Sequence, residues 1–130
     1  MNRRTFLMAS AALAAGIGPA AAQGFPLARP ITLVVPFPPG GGTDAIARSL
    51  AELMRNKFGQ TVIVENKGGA GGAIAAQFMK TATPDGHTLM LATSTFVTSA
   101  VVRRTPPYDV IKDVSPIALI GSGPLVVVVN

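Results

Sequence analysis

The sequence contains no cysteine and no tryptophan, and it has one histidine and one tyrosine. Without cysteine, the chain can form no disulfide, no thiolate zinc site and no cysteine nucleophile. An ordinary hydrophobic core must therefore hold it together. The single histidine, His87, lies in a Pro-Asp-Gly-His turn, so we predict an exposed surface residue without a catalytic role.

Charged residues are also scarce, at 13% of the chain against 48% hydrophobic residues. This balance excludes disorder driven by charge. The formal net charge is +5, but after the first few residues the cations are scattered, apart from the pair Arg103-Arg104. Because there is no basic stripe with interleaved aromatic residues, we expect no nucleic-acid partner. A modest positive excess favours small anionic ligands without identifying one.

Residues 1–22 have the layout of a signal peptide. A basic start containing Arg3 and Arg4 precedes an apolar run of 13 residues, 6–18. Three alanines ending at Ala22 then supply a cleavage site of the small-residue type. The run is shorter than the roughly 20 residues of a membrane span. We therefore expect export to the periplasm with cleavage near Ala22, by the general secretory or the twin-arginine route.

The remaining residues, 23–130, alternate between strand and helix patterns, which predicts an α/β fold with a parallel βαβαβ sheet. The apolar runs are nearly continuous, as expected for strands covered on both faces. Predicted strands span residues 31–35, 61–64 and 88–92, with further candidates at 117–120 and 125–129. Helices are predicted from a cap at Thr43-Asp44 to Gly59, over residues 73–81, and from within residues 93–99.

The predicted helices also carry apolar stripes at helical spacing, which we expect to face the sheet. The members of these stripes are Ile46, Leu50, Leu53, Met54, Phe58, Ile74, Phe78 and Met79.

Two glycine-rich loops follow the first two predicted strands and precede helices. Ligands of open parallel sheets bind at the carboxyl ends of the strands, where such loops lie. Glycine lets backbone N–H groups approach a ligand, and a helix N-terminus adds partial positive charge. Hydroxyl groups after the third strand would reach the same edge. The predicted binding residues are Phe37, Gly40, Gly41, Gly42, Thr43, Asp44, Gly69, Ala70, Gly71, Gly72, Thr93 and Ser94.

Sharper functional motifs fit less well. A phosphate-binding P-loop requires lysine followed by serine or threonine after the last glycine, whereas Thr43-Asp44 follows Gly42. The dinucleotide fingerprint G-x-G-x-x-A is met formally from Gly40 to Ala45, with Glu65 where a ribose-binding acid would stand. The prolines of the first loop lengthen a turn that this fold keeps short. An exported dinucleotide-binding oxidoreductase fragment therefore stays open as the alternative.

Residues 34–44, Val-Val-Pro-Phe-Pro-Pro-Gly-Gly-Gly-Thr-Asp, resemble the first loop of the tripartite tricarboxylate transporter substrate-binding proteins, the Bug or TctC family. Residues 64–72, Val-Glu-Asn-Lys-Gly-Gly-Ala-Gly-Gly, resemble the second loop of that family. Residues 83–89 resemble the turn into its third strand, with His87 where tyrosine is usual. Pro107-Tyr108-Asp109, together with Lys112-Asp113, resembles a further stretch of the family.

The resemblance implies a monomeric periplasmic receptor rather than an enzyme, without a cofactor, whose two α/β domains have a type II-like binding-protein fold. Such receptors deliver small carboxylates to membrane transporter subunits of a tripartite tricarboxylate system. Backbone N–H groups and ordered water in the loops 40–44 and 69–72 would bind the carboxylate, and Thr93 and Ser94 would add hydroxyl contacts. Family members are longer, so we expect an N-terminal fragment, truncated at the crossover to the second domain, with weak or no binding.

Overall fold

The computed structural model describes residues 29–123. A parallel sheet of three strands lies at its centre, in the order β2-β1-β3. The strands are β1, Ile31–Val35, β2, Val62–Asn66, and β3, Thr88–Met90. The predicted α/β class and parallel sheet are confirmed. The predicted signal peptide and the strand candidate at 125–129 lie outside the described residues.

The central strand β1 is paired on both sides, with Leu33 opposite Val64 of β2 and Leu89 of β3. Four of its five residues are buried, so its side chains are covered on both faces of the sheet, as the continuous apolar run predicted. Complete burial of one such aliphatic side chain stabilises the fold by about 1.5–3 kcal/mol. The strand β1 therefore lies at the centre of the hydrophobic core.

Helices connect the strands and cover the sheet. The helix α1, Gly42–Phe58, joins β1 to β2, and α2, Ala73–Thr81, joins β2 to β3. The helix α3, Ser94–Val102, follows β3. The predicted end of α1 is confirmed, since Gly59 adopts a left-handed conformation with φ of 66° and its N–H donates to Arg55 O. None of the described helices is long and apolar enough to cross a membrane.

The contact faces of the helices confirm the predicted stripes only in part: Leu50 and Met54 pack against the sheet core as predicted, but buried alanines form the centre of the contact. Ala47 and Ala51 of α1 are buried against β1 and β2, whereas Leu53 is 67% exposed. Ala73 and Ala76 of α2 are buried in a different cluster, with Phe96 and Tyr108 and against Met90 of β3, whereas Ile74 is 50% exposed. Small side chains let a helix backbone approach the sheet closely, and several of the larger residues then lie to the side of the contact. The stripe prediction was wrong for Ile46, Leu53, Phe58 and Ile74, which are all exposed.

A second hydrophobic cluster joins α2, α3 and the segment that follows α3. Phe96 of α3 stacks on Tyr108 with ring centroids 4.6 Å apart. The Tyr108 hydroxyl donates to Phe96 O at 2.6 Å, so its polar end is satisfied although the residue is buried. The strand candidate at 117–120 was wrong, because these residues are exposed and pair with no described strand.

The predicted exposure of His87 was also wrong, because this residue is only 3% exposed. Its N–H donates to Asp85 Oδ1 at 3.0 Å, which closes the turn before β3. Its carbonyl accepts the Thr32 N–H at 2.7 Å and so begins the pairing of β3 with β1. His87 is therefore buried at the start of β3, at the edge of the sheet opposite the glycine loops.

Candidate functional site

The two glycine loops meet at the carboxyl edge of the sheet. A Cβ atom on Gly68 would lie 3.1 Å from the Pro38 ring and backbone, and one on Gly72 would lie 3.6 Å from Pro36 Cβ. The second loop is thus packed directly against the first. At Gly68 the contact is too close for any larger side chain unless the first loop shifts. The structure therefore brings the predicted loops together as one surface.

The first loop ends at the N-terminus of α1, where backbone donors are available. The N-cap is Gly41, in an extended conformation and without a side-chain cap. The first intrahelical bond is the one from Ala45 N–H to Gly41 O, 3.0 Å long. The N–H groups of Gly42 and Thr43 therefore precede the helical bonding pattern and have no intrahelical partner. Together with the partial positive charge of the helix end, they form a surface suited to an anion.

The structure corrects the predicted cap at Thr43-Asp44, because both residues lie within the first turn of α1. Asp44 instead reaches back to the loop, where its Oδ2 accepts the Gly40 N–H at 2.9 Å. This bond satisfies a loop donor and bends the chain at Gly40, whose φ is 88°. The helix begins earlier than predicted because Asp44 stabilises the first turn as the third residue of the helix and not as the N-cap.

Asp44 is the hub of a polar network that joins the two loops. Its carboxylate accepts Arg48 Nε and Nη2 at 2.9 and 3.2 Å, and Asn66 Nδ2 at 2.9 Å. The hydrogen bonds of Arg48, Gly40 and Asn66, in that order, hold the pKa of Asp44 well below its usual range. Each carboxylate oxygen has two donors within the chain, so Asp44 shapes the site.

Asn66, the last residue of β2, is the other half of this network and was not among the predicted binding residues. Its Nδ2 donates both to Asp44 Oδ1 and to Phe37 O, at 2.9 and 3.1 Å. One side chain thereby ties the end of β2 to the first loop and to α1. The partners are 22 and 29 residues away in sequence, so local pattern could not reveal them.

The remaining predicted residues occupy the same edge in different surroundings. Gly40, Gly41 and Gly42 are exposed, as are Gly69, Ala70 and Gly71, whereas Gly72 is buried. Phe37 and Thr43 are half-buried. Thr93 is the N-cap of α3, and its hydroxyl oxygen is buried without a hydrogen-bond partner in the part of the chain described. Ser94 is exposed at the first position of α3.

Glu65, the acid of the dinucleotide alternative, lies near the end of β2. Its Oε1 is 2.7 Å from Lys67 Nζ, and this ammonium group also lies 4.1 Å from the centre of the Phe78 ring. The Glu65 carboxylate therefore forms an ion pair with Lys67 and does not stand free for a ligand. The loop before α1 runs from Pro36 to Gly41, longer than the short turn of a dinucleotide fold.

A parallel sheet with two touching glycine loops at its carboxyl edge is the architecture of a small-molecule binding domain. The sequence profile of the tripartite tricarboxylate transporter family receptor, TctC, matches residues 46–130. The chain belongs to this receptor family.

Individual relatives agree with the family match. Protein BugT of Bordetella pertussis is 42% identical over 125 residues, which are 95% of this chain and 37% of BugT. The structure of the periplasmic binding protein BugD is 49% identical with a TM-score of 0.59, over 62% of this chain and 27% of BugD. The structure of R. palustris Rpa4515 with adipate is 38% identical with a TM-score of 0.62, over 66% and 29%. The chain thus spans little more than a third of BugT.

Proposed function

We propose that this chain binds a small carboxylate in the periplasm as part of the solute receptor of a tripartite tricarboxylate transporter, and that it has no enzymatic activity. The observation that supports this proposal most directly is the contact between the two glycine loops beside the N-terminus of α1. The uncommitted N–H groups at this edge are donors for a carboxylate, and the adipate bound to the related Rpa4515 supports a dicarboxylate as a suitable probe.

The remaining parts of the proposal concern the whole protein. Residues 1–22 would act as an export signal cleaved near Ala22, and residues 23–130 would form part of the first of two domains, acting as a monomer. The receptor would deliver its ligand to membrane transporter subunits. The oxidoreductase alternative lacks comparable support, since Glu65 is paired with Lys67.

An amide NMR titration of the isotopically labelled chain with adipate tests the binding site. We expect millimolar adipate to shift the signals of residues 40–44 and 69–72, and to leave those of the His87 turn at the opposite edge unchanged. Hexanediol is the matched control, since it has the same carbon chain without carboxylates, and sodium chloride controls for ionic strength. Shifts with hexanediol equal to those with adipate, or no shift in either loop, would contradict carboxylate binding. Larger shifts with a nicotinamide dinucleotide would favour the alternative.

A further inference from the structure

The second glycine loop contains a turn with a left-handed backbone. Gly69, Ala70, Gly71 and Gly72 have φ values of 124°, 50°, 65° and 91° in succession. The Gly72 N–H donates to Gly69 O at 3.0 Å, and the Ala73 N–H donates to Ala70 O. Glycine adopts such angles freely. Ala70 does not, because its Cβ crowds the following carbonyl oxygen in this conformation. The intrinsic preference of Ala70 therefore opposes the turn.

The helix α3 holds this turn from outside. Arg103, the residue directly after α3, donates from Nη2 to Ala70 O at 2.8 Å. Ser99 of the same helix packs on the next residue, since a Cβ atom on Gly71 would be 2.5 Å from Ser99 Oγ. The two contacts fall on consecutive residues of the turn. The Ala70 carbonyl thus has two donors, Arg103 and the Ala73 N–H.

Holding the Ala70 carbonyl also determines where the next N–H group points. In a planar trans peptide, the C=O of one residue and the N–H of the following residue point in opposite directions. The peptide that contains Ala70 O therefore directs the Gly71 N–H away from Arg103. This N–H takes no part in the two internal bonds of the turn. Because glycine tolerates almost any φ, rotation of this peptide meets little resistance at Gly71.

We propose that Arg103 is a positioning residue of the binding site, which orients the Gly71 N–H toward the ligand by holding the Ala70 carbonyl. This inference rests on the proposed function, in which the second loop binds a carboxylate. Arg103 would act through the backbone and would not contact the ligand. Its loss should let Ala70 relax toward negative φ and turn the Gly71 N–H away from the ligand.

The neighbouring arginine provides a matched control. Arg104 is exposed and has no hydrogen-bond or ion-pair partner among residues 29–123. Arg103→Ala and Arg104→Ala remove the same charge from adjacent positions, so their effects on the long-range field should be similar. Only the first removes the bond to Ala70 O. Arg103→Lys retains one donor group that can reach a carbonyl, and should restore part of the function.

The experiment measures adipate affinity and the amide NMR spectrum for these three variants of the full chain. We expect Arg103→Ala to weaken adipate binding by about 3- to 10-fold, the equivalent of one ordinary hydrogen bond. Arg104→Ala should change affinity by less than about 2-fold. In Arg103→Ala alone, the Gly71 amide signal should shift and hydrogen exchange at the Gly72 N–H should accelerate, while the thermal midpoint falls by no more than the few degrees expected for one lost hydrogen bond. Arg103→Lys should lie between the wild type and Arg103→Ala.

Two results would overturn the inference. Equal loss of affinity in both alanine variants would show that charge, and not position, is what Arg103 contributes. An unchanged Gly71 signal and unchanged Gly72 exchange in Arg103→Ala would show that the arginine does not hold the turn. The second readout requires no ligand, so it judges the positioning role even if no variant binds adipate. Absence of adipate binding in the wild type would count against the proposed function alone.

Discussion

Replacement of Asn66 by alanine should destabilise the chain, because it removes the side chain that joins the first loop, β2 and α1. Its amide makes one hydrogen bond to the Asp44 carboxylate, 2.9 Å, and one to Phe37 O, 3.1 Å. A hydrogen bond to a charged group contributes about 1.5–3 kcal/mol and a neutral one about 0.5–1.5 kcal/mol. We therefore expect Asn66→Ala to lower the free energy of unfolding by about 2–4 kcal/mol.

Asn66→Asp is a sharper form of the same test. It places a carboxylate oxygen where an amide nitrogen now lies 2.9 Å from Asp44 Oδ1. Two like charges at this distance repel each other, and the repulsion raises the pKa of the introduced carboxyl. At neutral pH this variant should be less stable than Asn66→Ala. Because its folded-state pKa is raised, protonation should relieve the repulsion as the pH falls, so stability should partly return in mild acid.

Urea denaturation followed by circular dichroism gives the free energies of unfolding. Asn56→Ala is the control, because Asn56 is exposed on α1. Alanine is the better helix former, so this change should be neutral or stabilising by about 0.5 kcal/mol. A stability for Asn66→Ala within about 0.5 kcal/mol of the wild type would refute the bridging role. So would an Asn66→Asp variant that is more stable at neutral pH than Asn66→Ala.

Two further predictions concern the same network and the second hydrophobic cluster. The pKa of Asp44 is lowered by its bonds to Arg48 and its other donors, so its stabilising effect is complete above its unfolded pKa of about 4 and is lost as the pH falls below that value. Asp44→Asn should therefore be less stable at neutral pH, with a flatter acid limb in a plot of unfolding free energy against pH; an unchanged limb would contradict this. Tyr108→Phe keeps the ring on Phe96 but removes the 2.6 Å hydrogen bond to its carbonyl. It should lower the free energy of unfolding by about 1–2 kcal/mol in urea, and a neutral result would show that water satisfies that carbonyl.

The sequence was most informative about features that depend on residues close together in the chain. The strand β1 and the helix α2 have the predicted bounds, 31–35 and 73–81. A β-branched run stopped by Pro36 and a helix preceded by glycines are strong local signals. The parallel alternation also correctly placed both glycine loops at one edge. These features depend on neighbours along the chain, which a sequence displays directly.

The sequence was misleading about the contact faces of the helices. Large apolar residues dominate a periodicity count, but Leu53 is exposed, and the contact with the sheet is made by Ala47 and Ala51 together with the predicted Leu50 and Met54. Alanine is apolar enough for the core and small enough for close approach, yet it contributes little to an apolar stripe. The predicted contact faces were partly wrong for this reason, since the helix face that packs closest to the sheet does not have to carry the largest side chains.

Long-range polar contacts were beyond local reasoning for a different reason. Asn66 appeared only within the stretch 64–72 that resembles the second loop of the family, and Arg103 only as one member of a basic pair. Their partners lie 22 and 33 residues away, at Asp44 and Ala70. A side chain with several possible partners does not reveal its choice until the strands are in register. The residues that shape the site were therefore harder to predict than the loops themselves.

These contacts indicate how a site containing an acidic residue could bind an anion. Asp44 lies in the first turn of α1, where a lone carboxylate would compete with a ligand for the positive end of the helix. Its charge is instead opposed by Arg48 and its oxygens are occupied by Asn66 and Gly40. Backbone N–H groups are among the donors left at this edge, and on the inference above the direction of one of them depends on the remote side chain of Arg103. On the proposed function, a backbone site of this kind reads the carboxylate group alone, so loss of Asn66 or Arg103 should weaken different carboxylates by similar factors. Affinity losses that depend strongly on the rest of the ligand would instead indicate direct side-chain recognition.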